Sequence, residues 1–483
     1  MKILSNLYRL ISSFFILLLL SCAVNPVTGE KEFMLIAEDE EISIGKEIYP
    51  NILWGEEGGG GVYRDQELEG HLEGIIKRLH SISHRPNLPV DFVIQNSSVP
   101  NAWAIPGHVA ITRGLLVNID NEAQFAFVMG HEMGHVSARH SAKKLSLGIL
   151  QQLGLGIASA FIKDGKKEQE LLLGLGLIGS SLLILKYDRG QELQADRLGV
   201  LYMARTGYDP NEALTAHKKL EKAIKEYLAR LGKSREETIL GDLLSTHPRT
   251  QIRLDEVKTT IQNLEPYRIQ GDGKFSSPFM KNTMKIREIQ KSYLKYDDAT
   301  RAFRENNIRK AEDNISEAIK MNQGQAPFWN LSGLIHLKQG RYDDAEREFK
   351  TALQRDSDYQ PAYHGLGLRQ FLINDYKTAI GYFEKSLKLF PEHPGSNFYA
   401  GVIYYKFRDY RKAAHHLNTF AGIAPKHHEV HGYLGLSYEG IRDINSAVKE
   451  YRYQIQVAPN NEMGRTARSR LTALEPYIQP KKK

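Results

Sequence analysis

Residues 121–140 read NEAQFAFVMGHEMGHVSARH. The first half is mostly apolar, and Asn121 with Gln124 three residues on forms a capping pair, so the segment predicts a helix starting near 121. Within it stands His131-Glu132-Met133-Gly134-His135, the pattern H-E-x-x-H. Residues four apart share one helix face, so both imidazoles can reach a single metal ion. Glu132 lies beside that face, suited to take a proton from an activated water and pass it to a leaving amine. His140, five residues past His135, turns off the face and reads as structural.

A catalytic zinc needs a third protein ligand and an open position. The single cysteine, Cys22, is remote from the motif, so a carboxylate or another histidine must serve. Glu192, in Glu192-Leu193-Gln194-Ala195-Asp196, is the candidate, although its distance along the chain from His135 says nothing alone. Asp196 shares the face of Glu192 and suits the free N–H of a ligand histidine. Upstream, Leu68–Ile82 has helical spacing, Val90–Gln95 (VDFVIQ) alternates like a strand, and Ala102–Ile105, Pro106-Gly107-His108 and Val109–Thr112 read as a hairpin. Residues 145–162 and 171–185 are apolar and glycine-rich but shorter than the ~20 residues of a spanning helix. Two readings stay open for them: buried or groove-lining helices, and membrane contact.

Near residue 292 the chain begins to repeat, with a period of about 34 residues. Gly333, Gly367, Gly401 and Gly435 keep that step, as do Ala345, Ala379, Ala413 and Ala447, and Pro391, Pro425 and Pro459. A small residue on each of two paired helices, and a proline that ends the second, is the packing pattern of the tetratricopeptide repeat. Five repeats fit, over 292–461, the first degenerate. Stacked repeats form a concave surface suited to extended peptide or another protein. His427, His428 and His431 cluster at a junction and read as exposed, not as a metal site.

Residues 1–22 (MKILSNLYRLISSFFILLLLSC) combine a basic start with a short apolar run, Leu10–Leu20, as in a secretory signal. Leu19-Leu20-Ser21-Cys22 resembles a bacterial lipobox, which makes Cys22 the expected lipidation site; a short membrane anchor with an incidental cysteine is the alternative. Ala23 after the cysteine favours the outer membrane by the same resemblance. The expected division is a signal peptide over 1–21, a polar lead-in over 22–46, a peptidase domain over 47–267, a linker over 268–291, the repeats over 292–461, and a capping helix with a basic tail over 462–483. A net charge of +7 over 483 residues is mild and disfavours nucleic acid as a partner.

Four segments together carry a family resemblance: Asn101-Ala102-Trp103-Ala104-Ile105-Pro106-Gly107, HEMGHVSARH at 131–140, Glu192–Asp196, and Ser245-Thr246-His247-Pro248 with Arg253. In this order they resemble the zinc peptidase family of the CAAX prenyl endopeptidases and HtpX, and within it the soluble BepA-like branch with C-terminal tetratricopeptide repeats. The fold implied is mainly α: an α+β zincin-type metallopeptidase domain with a small sheet, followed by an α-solenoid. The resemblance implies one Zn2+ per chain on His131, His135 and Glu192, with Glu132 as general base and Asp196 behind a ligand. It implies that Asn101, Ala102, Trp103 and Ala104 pair with an extended substrate. His247 then stabilises the oxyanion or fills the open zinc position in a resting state, or stands idle, and Arg253 holds substrate or the loop. His108 stands where many relatives have glycine and receives no role. The implied activity is cleavage of unfolded or misassembled outer-membrane or periplasmic proteins on the periplasmic side of the outer membrane. The repeats would recruit clients or dock on the outer-membrane protein assembly machinery. A lipid-anchored repeat scaffold or chaperone with a latent or inactive peptidase module is the competing expectation.

Overall fold

The computed structural model describes residues 22–55, 60–149, 187–232 and 251–474. The chain divides after Gln290 into two compact units. The first begins with an antiparallel ribbon of β1 (Cys22–Val24) and β2 (Lys31–Phe33), followed by α1 (Glu38–Trp54) and α2 (Gln66–Ser81). β3 (Val90–Gln95), β4 (Ala102–Ile105) and β5 (Gly107–Thr112) form a sheet in the order β3-β5-β4. β5 runs parallel to β3 and antiparallel to β4, with Ala102 opposite Ile111 and Ile105 opposite His108. Only Pro106 separates the two hairpin strands, and Gly107 makes the reversal with a φ of 96°. Among the described residues, no strand pairs with the outer side of β4.

α3 (Arg113–Leu116) leads to α4 (Glu122–Ser137), and α5 (Arg189–Arg205), α6 (Glu212–Leu231) and α7 (Gln251–Gln262) follow. Asn121 caps α4, its Oδ1 accepting from the Gln124 backbone N–H at 2.8 Å. α4 is buried almost all round, as a helix with apolar residues on every side must be. α2 buries Leu68, Leu72, Ile75, Ile76 and Leu79 in the same core, each leucine contributing ~2 kcal/mol.

The approach of α4 to α5 sets the site. A methyl on Gly134 would lie 3.1 Å from Leu198 Cβ and 3.3 Å from Ala195 Cα, and one on Gly199 would lie 3.1 Å from the His131 nitrogen. Without side chains at these crossings the two backbones come close, so residues one turn away on α5 reach residues 131 and 135 on α4.

Two expected boundaries need correction. The polar lead-in is part of the first unit. α1 runs through residue 46, and its Glu41 is buried between Arg85 (2.8 Å) and Arg139 (2.9 Å). Nor is 268–291 a free linker. α8 (Ser276–Asn282) and α9 (Met284–Glu288) bury Phe279 and Ile286 in the core, and Arg287 donates to the carbonyls of Val117 and Ile119. Residues 140–149 are helical, and the rest of the apolar 145–185 region lies outside the described residues.

The second unit is a series of helix pairs: α10 (Gln290–Arg304) with α11 (Ile308–Met321), α12 (Ala326–Lys338) with α13 (Tyr342–Arg355), and α14 (Gln360–Leu372) with α15 (Tyr376–Leu389). α16 (Pro394–Lys406) pairs with α17 (Tyr410–Ile423), α18 (Val430–Gly440) with α19 (Ile444–Val457), and α20 (Glu462–Leu474) closes the described chain. The constant period has a direct physical cause. A methyl on Gly333, Gly367 or Gly401 would come within 2.6 Å of Phe349, Phe383 or Leu417 on the paired helix. The turns repeat too: Asn374, Arg408 and Arg442 take left-handed φ values of 62–65°, and Asp375, Asp409 and Asp443 then cap the next helix. His431, expected on the surface, is buried and held by Glu450 at 2.6 Å and the Pro425 carbonyl at 2.8 Å, while His428 is exposed. No helix among the described residues is long and apolar enough to cross a membrane.

Candidate metal centre

His131 and His135 leave α4 from one face, their Nε2 atoms 3.2 Å apart. α5 starts at a capping box in which Asp188 Oδ1 accepts from the Gln191 N–H and Gln191 Oε1 accepts from the Asp188 N–H. That start sets Glu192 in the first turn. Its carboxylate lies 3.7 Å from His131 Nε2 and 3.5 Å from His135 Nε2. Ligands at 2.0–2.1 Å in tetrahedral array are about 3.3 Å from one another, so the three separations fit one small divalent ion. Among the described residues, this is the one group of three or more His, Cys, Asp or Glu with ligand atoms all within 4.8 Å. Glu132 lines a cavity together with His131, Phe127, and Asn101 and Ala102 at the β4 edge.

Asp196, fully buried, approaches His131 Nδ1 at 2.9 Å. Burial would raise its pKa. The Arg253 guanidinium outweighs that, with hydrogen bonds from Arg253, His131 and His217, and holds the carboxyl well below the usual range. Arg253 donates to both Asp196 oxygens at 2.7 Å and lies 2.6 Å from Glu192. Arg253, expected to hold substrate or the loop, is in contact with two carboxylates of the site.

Asn101 and Ala102 face the cavity, and Ala104 packs in the core beneath α4. Trp103 points to the opposite side, into a cluster with Ile48, Ile52 and Ile105, and its Nε1 donates to Gln95 at 2.8 Å. His247 lies outside the described residues, and the side chain of Cys22 is not described.

Three contributors escape the motif reading. His217, on α6, is buried against Phe127 and stands 3.5 Å from Asp196. A lone histidine on an amphipathic helix carries no signal of this. Tyr187 stacks on His135, ring centroids 3.8 Å apart, and its hydroxyl pairs with Ser141. The third is His140. α4 ends at Ser137, and Arg139 takes a left-handed φ of 56°, so helical spacing does not carry past it. The turn brings His140 Nδ1 to 2.8 Å from His135 Nδ1.

Residues 66–261 match Peptidase family M48, and residues 296–360 and 365–428 match a tetratricopeptide repeat family. The chain is 24% identical over 342 residues to the "Beta-barrel assembly-enhancing protease" of Escherichia coli (strain K12), covering 64% of this chain and 67% of that protein. It is 31% identical over 215 residues to the "Mitochondrial metalloendopeptidase OMA1" of Arabidopsis thaliana, covering 44% of this chain and 40% of the relative. A crystal structure of MamA protein overlaps 39% of this chain and 98% of its own length, at 18% identity and a TM-score of 0.30. Over residues 66–261 the chain is thus similar to Peptidase family M48, a family of metal-dependent peptidases, and the unit that follows is similar to tetratricopeptide repeats.

Proposed function

We propose that the protein is a zinc-dependent endopeptidase of the bacterial cell envelope that cleaves unfolded or misassembled proteins. The observation that carries the reading is the meeting of His131, His135 and Glu192 at separations that suit one tetrahedral ion. Two imidazoles and a carboxylate favour zinc over harder cations, which prefer all-oxygen sites. Bound there, zinc supplies a Lewis acid that polarises the scissile carbonyl and activates water.

The remaining work falls to the chain. Glu132 takes the proton of the attacking water and delivers it to the leaving amine nitrogen. Asp196 fixes the tautomer of His131 through Nδ1, leaving Nε2 for the metal. Arg253 acts as a positioning residue for Asp196 and Glu192. The edge of β4 at Asn101–Ala104 adds an extended substrate as a further strand. His247 serves the substrate oxyanion or the open metal position.

The name of the Escherichia coli relative supports clients among β-barrel proteins. The repeats recruit such clients or dock on their assembly machinery, and a lipid on Cys22 holds the protein at the periplasmic side of the outer membrane. The test is cleavage of an unfolded protein by wild type and Glu132→Gln, with bound metal measured in both. The variant is expected to keep its metal and lose about 10²- to 10⁴-fold in rate. Equal cleavage by the two overturns the mechanism. Metabolic lipid labelling tests the anchor: Cys22→Ser is expected to take up no label, and labelling equal to wild type removes it.

A further inference from the structure

We propose that His140 and Gln194 are positioning residues that lock His135 in the tautomer presenting Nε2 to the metal. The inference rests on the metal reading above. His135 Nε2 faces His131 Nε2 and Glu192, so it is the ligating atom. A neutral imidazole that ligates through Nε2 carries its proton on Nδ1. That proton meets His140 Nδ1 at 2.8 Å. Two bare lone pairs cannot face each other at that distance, so His140 Nδ1 accepts. A neutral His140 accepting at Nδ1 carries its own proton on Nε2, and Nε2 lies 3.0 Å from the Gln194 amide oxygen. The two hydrogen bonds thus run one way, from His135 to His140 to Gln194.

Local structure makes the chain possible. The left-handed Arg139 swings His140 behind His135, and the Arg139 guanidinium is tied to Glu41 at 2.9 Å and the Ile36 carbonyl at 2.8 Å. Tyr187 covers one face of the His135 ring. The two ligand histidines are backed differently: His131 by a carboxylate, His135 by a neutral imidazole. Both backing chains end on α5, the helix that carries Glu192, at positions 196 and 194. One helix therefore supplies a candidate ligand and orients the other two.

The test measures zinc affinity by chelator competition and the visible spectrum of the cobalt-substituted protein. Wild type, His140→Leu, His140→Asn and Gln194→Leu are compared as full chains. His140→Leu is expected to weaken zinc binding about 10- to 100-fold, the range for loss of an outer partner, and to change the cobalt spectrum. His140→Asn, whose side-chain oxygen replaces the accepting Nδ1, is expected to bind close to wild type. Gln194→Leu is expected to fall between the two. Wild-type affinity in His140→Leu overturns the proposal, as does an equal loss in His140→Leu and His140→Asn, which would mark a packing role. A wild-type chain that binds no divalent metal overturns the metal reading and this inference together, whereas unchanged variants of a metal-binding wild type remove this inference alone.

Discussion

The two units use helices of similar length for opposite ends. In the repeats each contact is made with a near neighbour in sequence and then made again one period later, as with Gly367 under Phe383 and Gly401 under Leu417. In the peptidase unit the decisive contacts occur once and join distant parts of the chain. Glu192 and Asp196 on α5 meet His131 on α4, and Arg253 reaches Asp196 from α7. Damage to a periodic array stays near the damaged repeat, because each repeat is stabilised by its neighbours. Damage to a single convergence spreads, because buried charges depend on one another.

The largest expected effect comes from the convergence. Arg253→Met strands Asp196 and Glu192 in the core without their cation, at a cost of about 3–5 kcal/mol. Chemical denaturation should show it, and adding Asp196→Asn should recover part. Full additivity of the two substitutions would break the picture of a coupled site.

Acid sharpens the contrast next. In the repeats, burial pulls His393 down to about 4 and holds His364 well below the usual histidine range. Both rings share the Ser396 hydroxyl at 3.0 Å. Above pH 7 the folded and unfolded chains both keep these histidines neutral, so there is no penalty. As pH falls from about 6.5 towards 4 the unfolded chain takes up protons that the folded one refuses, and stability drops. A shift from 6.5 to about 4 corresponds to roughly 3–3.5 kcal/mol at 1.36 kcal/mol per unit, once pH is below both values. Hydrogen exchange at pH 5 against pH 7.5 should show lost protection in α14–α16, and His393→Asn, which keeps a cap, should lessen it. Asp196, held low by Arg253, works with the other sign of charge and the same direction: its stabilisation is present above the ordinary aspartate range and is lost only as pH falls through its depressed value.

Gly367→Val should cost about 1–3 kcal/mol by forcing a methyl into the Phe383 ring, with zinc affinity unchanged. A changed affinity would show that the repeats are less insulated than their local contacts imply. The smallest effect is Asp409→Ala, which removes the cap of α17 and should cost about 1 kcal/mol, visible as fraying of that helix by exchange.

What the sequence reveals follows the same division. A strict period is its own structural statement, and the i, i+4 pairs His131/His135 and Glu192/Asp196 translate directly into shared helix faces. The meeting of α4 with α5 is not legible, because nothing in Gly134 or Gly199 says that the other helix passes close to it. His140 misleads for a definite reason: a helical count is carried across Arg139, where the backbone leaves the helix. Within the expected linker, residues 271–278 (GDGKFSSP) have turn composition, but Phe279 and Ile286, just beyond them, belong to the core. Turn chemistry is local, and burial is decided elsewhere in the chain.

If the margin of β4, which no described strand pairs, takes substrate as proposed, it is a gauge of slackness. It presents amide and carbonyl groups at a pitch of about 3.4 Å per residue, and most of what it can grip is main chain, common to every polypeptide. A relaxed chain of almost any spelling matches that pitch, whereas a native barrel has already spent its own margins on closure. Discrimination at such a margin would rest on whether a client is finished rather than on which client it is.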